Sequence, residues 1–433
     1  MKPATALEPI DVTDLQVGMF VHLDLSWLAH PFPLSNFRIA SVQQIDTIRS
    51  LGVKQVRWNR GQSEVPAAND SRPAALAGDA VAPPVPAAVA APVVESPEAQ
   101  ARAALRARLA EQRAGLKLCE HQFAEAAQEV RRANELVSAK PLEAAAHANG
   151  LTRALVDKML GEHELCIRLL TDASGDKASA HALNVTIISL LMGRSFGFAE
   201  SDLLDLGVGS LMHDIGKIDL PDRMRHREEH FSSAEVRLYE EHVAHGVAHA
   251  RKMGLSSAAT LVIAQHHEHA DSTGFPLKIN TDRMTPLSRI VSLVNRYDNL
   301  CNPHLAAQAM TPHEALSMLF AQSKTKFDTA ILGAFIKMMG VYPPGSAVQL
   351  TDDRYALVVA VNSSRPLKPR VLVHDTGVPA DEALILDLES ASGLGIRRSI
   401  RSAALPEATR QYLGVRPRVA YFFEPADTPS SED

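Results

Sequence analysis

The chain has 433 residues, 44 Lys+Arg against 50 Asp+Glu for a net charge of −6, 46% hydrophobic residues and three cysteines. This is the composition of an ordinary globular protein, long enough for two or three domains, and its slight acidity with 5% aromatics lacks the footprint of a nucleic-acid binder. Cys119, Cys166 and Cys301 are far apart and form no CxxC pair, so a disulfide frame is excluded and reduced, cytoplasmic thiols are expected.

In chain order, residues 1–65 mix short alternating runs, Gln16–Leu23 and Val53–Trp58, with helical spacing over Ser41–Leu51, which predicts a small α+β module. Residues 66–98 turn to Ala, Pro and Val with no period, a flexible linker. Residues 99–340 are helical in pattern. Apolar residues recur at three and four spacing, as at Leu105, Leu109 and Leu116 and again at Leu155, Met159, Leu165 and Leu169. Residues 341–433 carry strand-like runs at 348–350, 355–361, 370–374 and 418–423, a β-rich extension. The opening residues hold no apolar export signal and no stretch reaches the ~20 apolar residues of a membrane helix, so neither export nor membrane insertion is expected.

Ten of the 18 histidines fall between His181 and His269, where even scattering predicts about four. Imidazole is the commonest neutral metal ligand. His213-Asp214 stands at a helix end with Gly216 and Lys217 just after it, Gln265-His266-His267-Glu268 adds two adjacent imidazoles, and His181 and His242 lie on helical segments. Five histidines and an aspartate exceed one mononuclear shell and suggest two divalent cations, spaced to activate a water against a phosphate. His226, His230, His245, His249 and His269 read as solvated positions.

The run His181, His213-Asp214-Ile215-Gly216-Lys217, His242-Val-Ala-His-Gly246, His266-His267-Glu268 and Asp271-Ser-Thr-Gly-Phe-Pro276 resembles the HD-GYP family of bacterial cyclic di-GMP phosphodiesterases. Residues 178–339 carry the resemblance. The first 65 residues look like the small domain often found in front of such domains. The resemblance implies a mainly α fold: an all-helical HD-type metal phosphohydrolase domain, with the α+β module before it and the β-rich extension after it. It implies that His181, His213, Asp214, His242, His266, His267 and Asn295 hold two divalent metal ions, iron or manganese, with Asp214 as the bridge. Asp214 and Lys217 would be catalytic, and Lys217, Asp271, Gly274, Phe275, Pro276 and Arg289 would contact the nucleotide. The expected reaction is hydrolysis of cyclic di-GMP to pGpG, with further cleavage to GMP left open, in a cytoplasmic signalling protein that forms a homodimer or docks a partner.

Several positions depart from the pattern: Ser272 stands where a glycine normally precedes the Gly274-Phe275-Pro276 turn, and Leu277-Lys-Ile-Asn280 replaces the glycines that usually follow it. Phe275 replaces a tyrosine, and Asn295 stands where the family places a metal-binding aspartate, with Asp298 one helical turn away. Two other readings therefore stay open: a nucleotide-binding or protein-interaction module without turnover, and a phosphohydrolase acting on another nucleotide.

Overall fold

The computed structural model describes residues 7–25, 36–63, 97–161, 164–171, 176–228, 230–322, 325–362, 365–391 and 393–426. The expected linker at 66–98 lies almost wholly outside them. The chain forms two units, Met1–Ala110 and Glu111–Asp433.

In the first unit β1 (Glu8–Asp11), β2 (Phe20–His22), β3 (Asn36–Arg38) and β4 (Gln55–Asn59) form an antiparallel sheet in the order β1-β4-β2-β3. Helix α1 (Val42–Ser50) is started by Ser41, whose side chain accepts from the Gln44 amide. Its Ile45 and Ile48, three residues apart and hence on one face, close onto Leu15, Met19, Val21, Leu23, Ile39 and Val56. This is the expected α+β module.

The second unit begins within α2 (Pro97–Leu136) and continues through α3 (Pro141–Leu160), β5 (Leu165–Leu169), α4 (Lys177–Ser195), α5 (Glu200–Leu211), α6 (Ser233–Met253), α7 (Ser257–Gln265), α8 (Pro286–Cys301), α9 (Pro312–Gln322) and α10 (Thr329–Met339). Helix α4 is buried on nearly every side from Ala182 to Gly193, which makes it the axis of the bundle, and it packs against α5, α8 and the C-terminal strand region. Strong start signals fix the helices that flank it. Asp176 caps α4, Ser232 and Glu235 form a capping box on α6, and Thr285 with Pro286 opens α8.

The extension adds β6 (Ala347–Leu350), β7 (Tyr355–Asn362), β8 (Arg370–Val373), β9 (Ile385–Asp387), β10 (Ile396–Ser399), α11 (Glu407–Tyr412) and β11 (Tyr421–Pro425). Its sheet runs β10-β6-β7-β5-β11, with β8 on β7 and β9 on β8. One expectation is corrected here. Leu165 and Leu169, read as helical, lie on β5, which pairs with Tyr421–Pro425 and with Ala360–Asn362. A spacing of four keeps two leucines on one face of a strand as well as of a helix, so a short apolar run such as Leu-Cys-Ile-Arg-Leu is ambiguous until its partners are known.

The turn Ile215–Asp219 crosses α6 at its closest point. A Cβ on Gly216 would collide with the His242 carbonyl oxygen and the Gly246 amide nitrogen, both rigid backbone atoms. Gly216→Ala is expected to cost about 1–3 kcal/mol by forcing the two segments apart, seen as a lower urea midpoint with an unchanged slope.

Candidate metal centre

Four backbone segments deliver the cluster. His181 stands in the first turns of α4. His213 and Asp214 follow the end of α5, His242 lies midway along α6, and His266 and His267 follow α7. Ligand atoms of His181, His213 and Asp214 lie within 4.8 Å of one another, as do those of Asp214, His242, His266 and His267. Asp214 belongs to both sets.

The hydrogen bonds behind the rings decide where their protons sit. His213 Nδ1 faces the Ser210 carbonyl at 2.6 Å, His242 Nδ1 that of Tyr239 at 2.6 Å, and His266 Nδ1 that of Ile263 at 2.7 Å. A carbonyl can only accept, so in each case Nδ1 donates, and in the neutral ring Nε2 is left with a bare lone pair. His181 Nδ1 lies 2.6 Å from Asp298 Oδ2, which has the same effect. The bare nitrogens then converge, His181 on His213 at 3.2 Å and His242 on His266 at 3.4 Å. No proton is left to lie between them.

Asp214 completes the pattern. Its Oδ2 lies 3.7 and 3.5 Å from Nε2 of His181 and His213, and its Oδ1 lies 3.6 Å from Nε2 of both His242 and His266. Asp214 Oδ1 and His267 Nε2 are buried atoms with no hydrogen-bond partner among the described residues. Lone pairs that face one another, with a carboxylate oxygen in each group and buried acceptors lacking donors, fit divalent cations and fit little else.

Electrostatics keeps the donors in the form a cation needs. Burial pushes His213 and His267 well below the ordinary histidine range and His242 down to about 3. Burial alone would raise the Asp214 carboxyl, but the cationic neighbourhood, Lys217 first, holds it well below the usual carboxylate range. Lys217 Nζ donates to Asp214 Oδ2 at 2.6 Å, and that partner keeps its ammonium charged despite burial.

The remaining candidates fall into two groups. Phe275 stacks on His267 with ring centroids 4.4 Å apart, so the Gly274-Phe275-Pro276 loop lies directly against the cluster. Gly274 has no room for a Cβ beside the backbone of Glu268 and His269. Asp271 folds this loop by accepting from the amide and hydroxyl of Thr273. Ser272 and Lys278, where the family pattern has glycines, adopt left-handed φ of 64° and 54°. Arg289, by contrast, reaches the carbonyls of Met284 and Thr281 and the Asp328 carboxylate, and so braces the neighbouring turn. Asn295 is buried, with its Oδ1 accepting from Asn299 Nδ2 at 2.6 Å.

Three features escaped the sequence reading. Asp298 sits behind His181 as its proton acceptor, and its other oxygen takes the side-chain amides of Asn184 and Asn302. Those amides also bind the backbone of Val419 and Tyr421. Glu268 is fully buried and accepts from the amides of Leu277 and Ile279, which secures the far side of the Phe275 loop. His249, expected to be solvated, is buried with Nε2 on Asp219 at 2.8 Å. A helical pattern full of polar residues gave no sign of these pairings. A cavity of about 830 Å³ opens beside the cluster, lined by His181, Asp214 and Lys217 and by Arg416–Ala420 of the extension.

Comparison with known proteins adds an independent line. The HD domain model matches residues 164–331, and a domain of unknown function, DUF3391, matches residues 7–148. Cyclic di-GMP phosphodiesterase PA4108 of Pseudomonas aeruginosa is 27% identical over 371 residues, 85% of either chain. Cyclic di-GMP phosphodiesterase PdeB of Borreliella burgdorferi is 22% identical over 191 residues, 44% of this chain and 50% of PdeB. The 3'3'-cGAMP-specific phosphodiesterase 3 of Vibrio cholerae is 24% identical over 174 residues, 40% of this chain and 38% of that protein. Among solved structures, Bd1817, a HDG"Y"P protein from Bdellovibrio bacteriovorus, aligns with a TM-score of 0.42 and 13% identity, over 76% of this chain and 98% of its own.

Two outcomes follow from the geometry. Asp298→Ala removes the acceptor that orients His181, so metal affinity is expected to fall about ten- to hundredfold in a chelator-competition titration. In the metal-free protein, the unfolded chain takes up protons on histidine below pH 6.5 that folded His213, His242 and His267 refuse. Stability is therefore expected to fall as pH drops from about 6.5 toward 4, with a shallower fall in His242→Gln, read from urea midpoints across that range.

Proposed function

We propose that this chain, an HD-domain protein with motifs of the HD-GYP type behind a DUF3391 domain, is a metal-dependent phosphodiesterase that hydrolyses cyclic di-GMP to pGpG in bacterial signalling. The observation that carries the reading is the Asp214 carboxylate, each of whose oxygens faces its own group of imidazole lone pairs 3.5–3.7 Å away. The names of PA4108 and PdeB support the substrate.

In this reading His181, His213 and Asp214, with Asn295, hold one divalent cation, and Asp214, His242, His266 and His267 hold a second. The mixed imidazole and carboxylate set suits first-row ions, iron or manganese. Bound there, the cations supply Lewis-acid activation of both water and phosphate. The residues do the rest. The inward-facing Nε2 atoms and Asp214 fix where charge is neutralised, and Lys217, a charged ammonium beside Asp214, meets a non-bridging phosphate oxygen. Phe275 and the Gly274 turn close one side of the site and limit its water, and Asp271 keeps that turn folded. Water adds to phosphorus as the P–O3' bond breaks, the leaving oxygen takes a proton, and a linear 5'-phosphorylated dinucleotide results.

One observation favours a second reading, a domain that binds cyclic di-GMP without turnover. Asn295 offers no charge and its carbonyl oxygen is already engaged by Asn299, which weakens the first cation site.

One experiment separates the two. Protein purified without chelator is expected to hold about two metals per chain, to convert cyclic di-GMP to pGpG, and to lose all turnover in Asp214→Ala. Metal near one per chain and no turnover, with both restored by Asn295→Asp, would overturn the enzyme reading in favour of the binding domain.

A further inference from the structure

The cavity beside the metal centre is built only partly by the HD domain. Opposite His181, Asp214 and Lys217 its lining includes Arg416–Ala420, the segment that leads into β11. This segment is firmly held. Asn184 donates to the Val419 carbonyl and accepts from the Tyr421 amide, while Asn302 donates to the Val419 carbonyl and accepts from the Val419 amide, at 2.9–3.1 Å. Both asparagines also donate to Asp298, the acceptor behind His181. The cluster and the C-terminal segment thus hang on one hydrogen-bonded frame.

Two kinds of unused chemistry face this cavity. Lys177 and Arg416 line it, and neither has a hydrogen bond or ion pair among the described residues. His226 and His304 also line it and stack on each other with centroids 4.1 Å apart and planes 21° from parallel. Arg418 donates to the carbonyls of Pro303 and His304, which anchors the loop bearing His304 to the C-terminal segment. Partial burial, with His304 and Lys217 nearby, pushes His226 down to about 4. Stacked imidazoles offer a flat face to a purine, and cations without a partner among the described residues offer a seat for phosphate.

We infer that the C-terminal extension forms the specificity wall of the substrate site, where Arg416 and Lys177 receive the phosphate remote from the metals and the His226–His304 stack carries a guanine. The inference rests on the cyclic dinucleotide reading above. Such a ring has two phosphates, and with one at Asp214 and Lys217 the other needs a second cationic seat. A cavity of about 830 Å³ is large enough for the whole ring to enter. Arg416 and the C-terminal segment lie outside the residues that the HD domain model matches, 164–331, whereas Lys177, His226 and His304 lie within them.

The test compares the full-length chain with Arg416→Ala, Lys177→Ala and His304→Ala. The ratio of kcat/KM for cyclic di-GMP to that for bis(p-nitrophenyl) phosphate, which has one phosphate and no purine, is expected to fall about tenfold or more in each variant, mainly through KM and with metal content retained. Calorimetric binding of cyclic di-GMP to the metal-free chains is expected to weaken in parallel. An unchanged ratio and unchanged binding in all three variants would overturn the inference, and so would the absence of cyclic di-GMP binding to the parent chain. A parent chain that hydrolyses neither diester, yet binds cyclic di-GMP more tightly than the variants, would remove the enzyme reading and leave the wall in place.

Discussion

Asp214 sets the terms for the rest of the second unit. A part-buried carboxylate with imidazole lone pairs on both of its oxygens is electrostatically unfavourable unless positive charge occupies the spaces between them. Lys217 supplies part of that charge by lying on Oδ2, and Oδ1 has no hydrogen-bond donor among the described residues. The surrounding elements hold four of the five rings, His181, His213, His242 and His266, in one tautomer. They do so with a repeated local device. His213, His242 and His266 each donate Nδ1–H to the carbonyl three residues earlier, and two of these carbonyls are freed by a helix end.

His181 is the exception, and its different support shapes the architecture. It sits near the start of α4, so the residue that holds it, Asp298, comes from α8, and Asp298 in turn is held by Asn184 and Asn302. Those amides extend the network to the backbone ahead of β11. An edge strand of the C-terminal sheet is in this way tied to the histidine-aspartate cluster through the buried Asp298 and Asn184 and the part-buried Asn302. The pairing of β5 with β7 and β11 places a strand from the helical stretch inside the same sheet, so the extension is an integral part of the unit.

The loop against His267 shows how departures from a family pattern are absorbed. Phe275 lacks a hydroxyl but keeps the ring, which stacks at 4.4 Å. Ser272 and Lys278 occupy left-handed backbone at a cost of order 1 kcal/mol each, offset by the Asp271 turn on one side and the Glu268 carboxylate on the other. Gly274 remains because backbone fills the space a side chain would need.

Histidine clustering, the order of His181, His213-Asp214, His242 and His266-His267, and the run of Ala, Leu and Glu periodicity were enough to read a helical HD-type domain with an α+β module before it and a β-rich segment after it. These are local properties: helix periodicity, caps and residue types at given spacings are written in contiguous residues. The pairing of β5, the acceptor role of Asp298, the burial of Glu268 and His249 and the place of Arg416 on the cavity beside the histidine-aspartate cluster depend on residues far apart in the chain, such as His181 with Asp298 or Asn184 with Tyr421. A polar residue on a helix reads the same whether it faces water or a buried partner. Which it does is determined when the chain closes and every buried donor and acceptor must be matched.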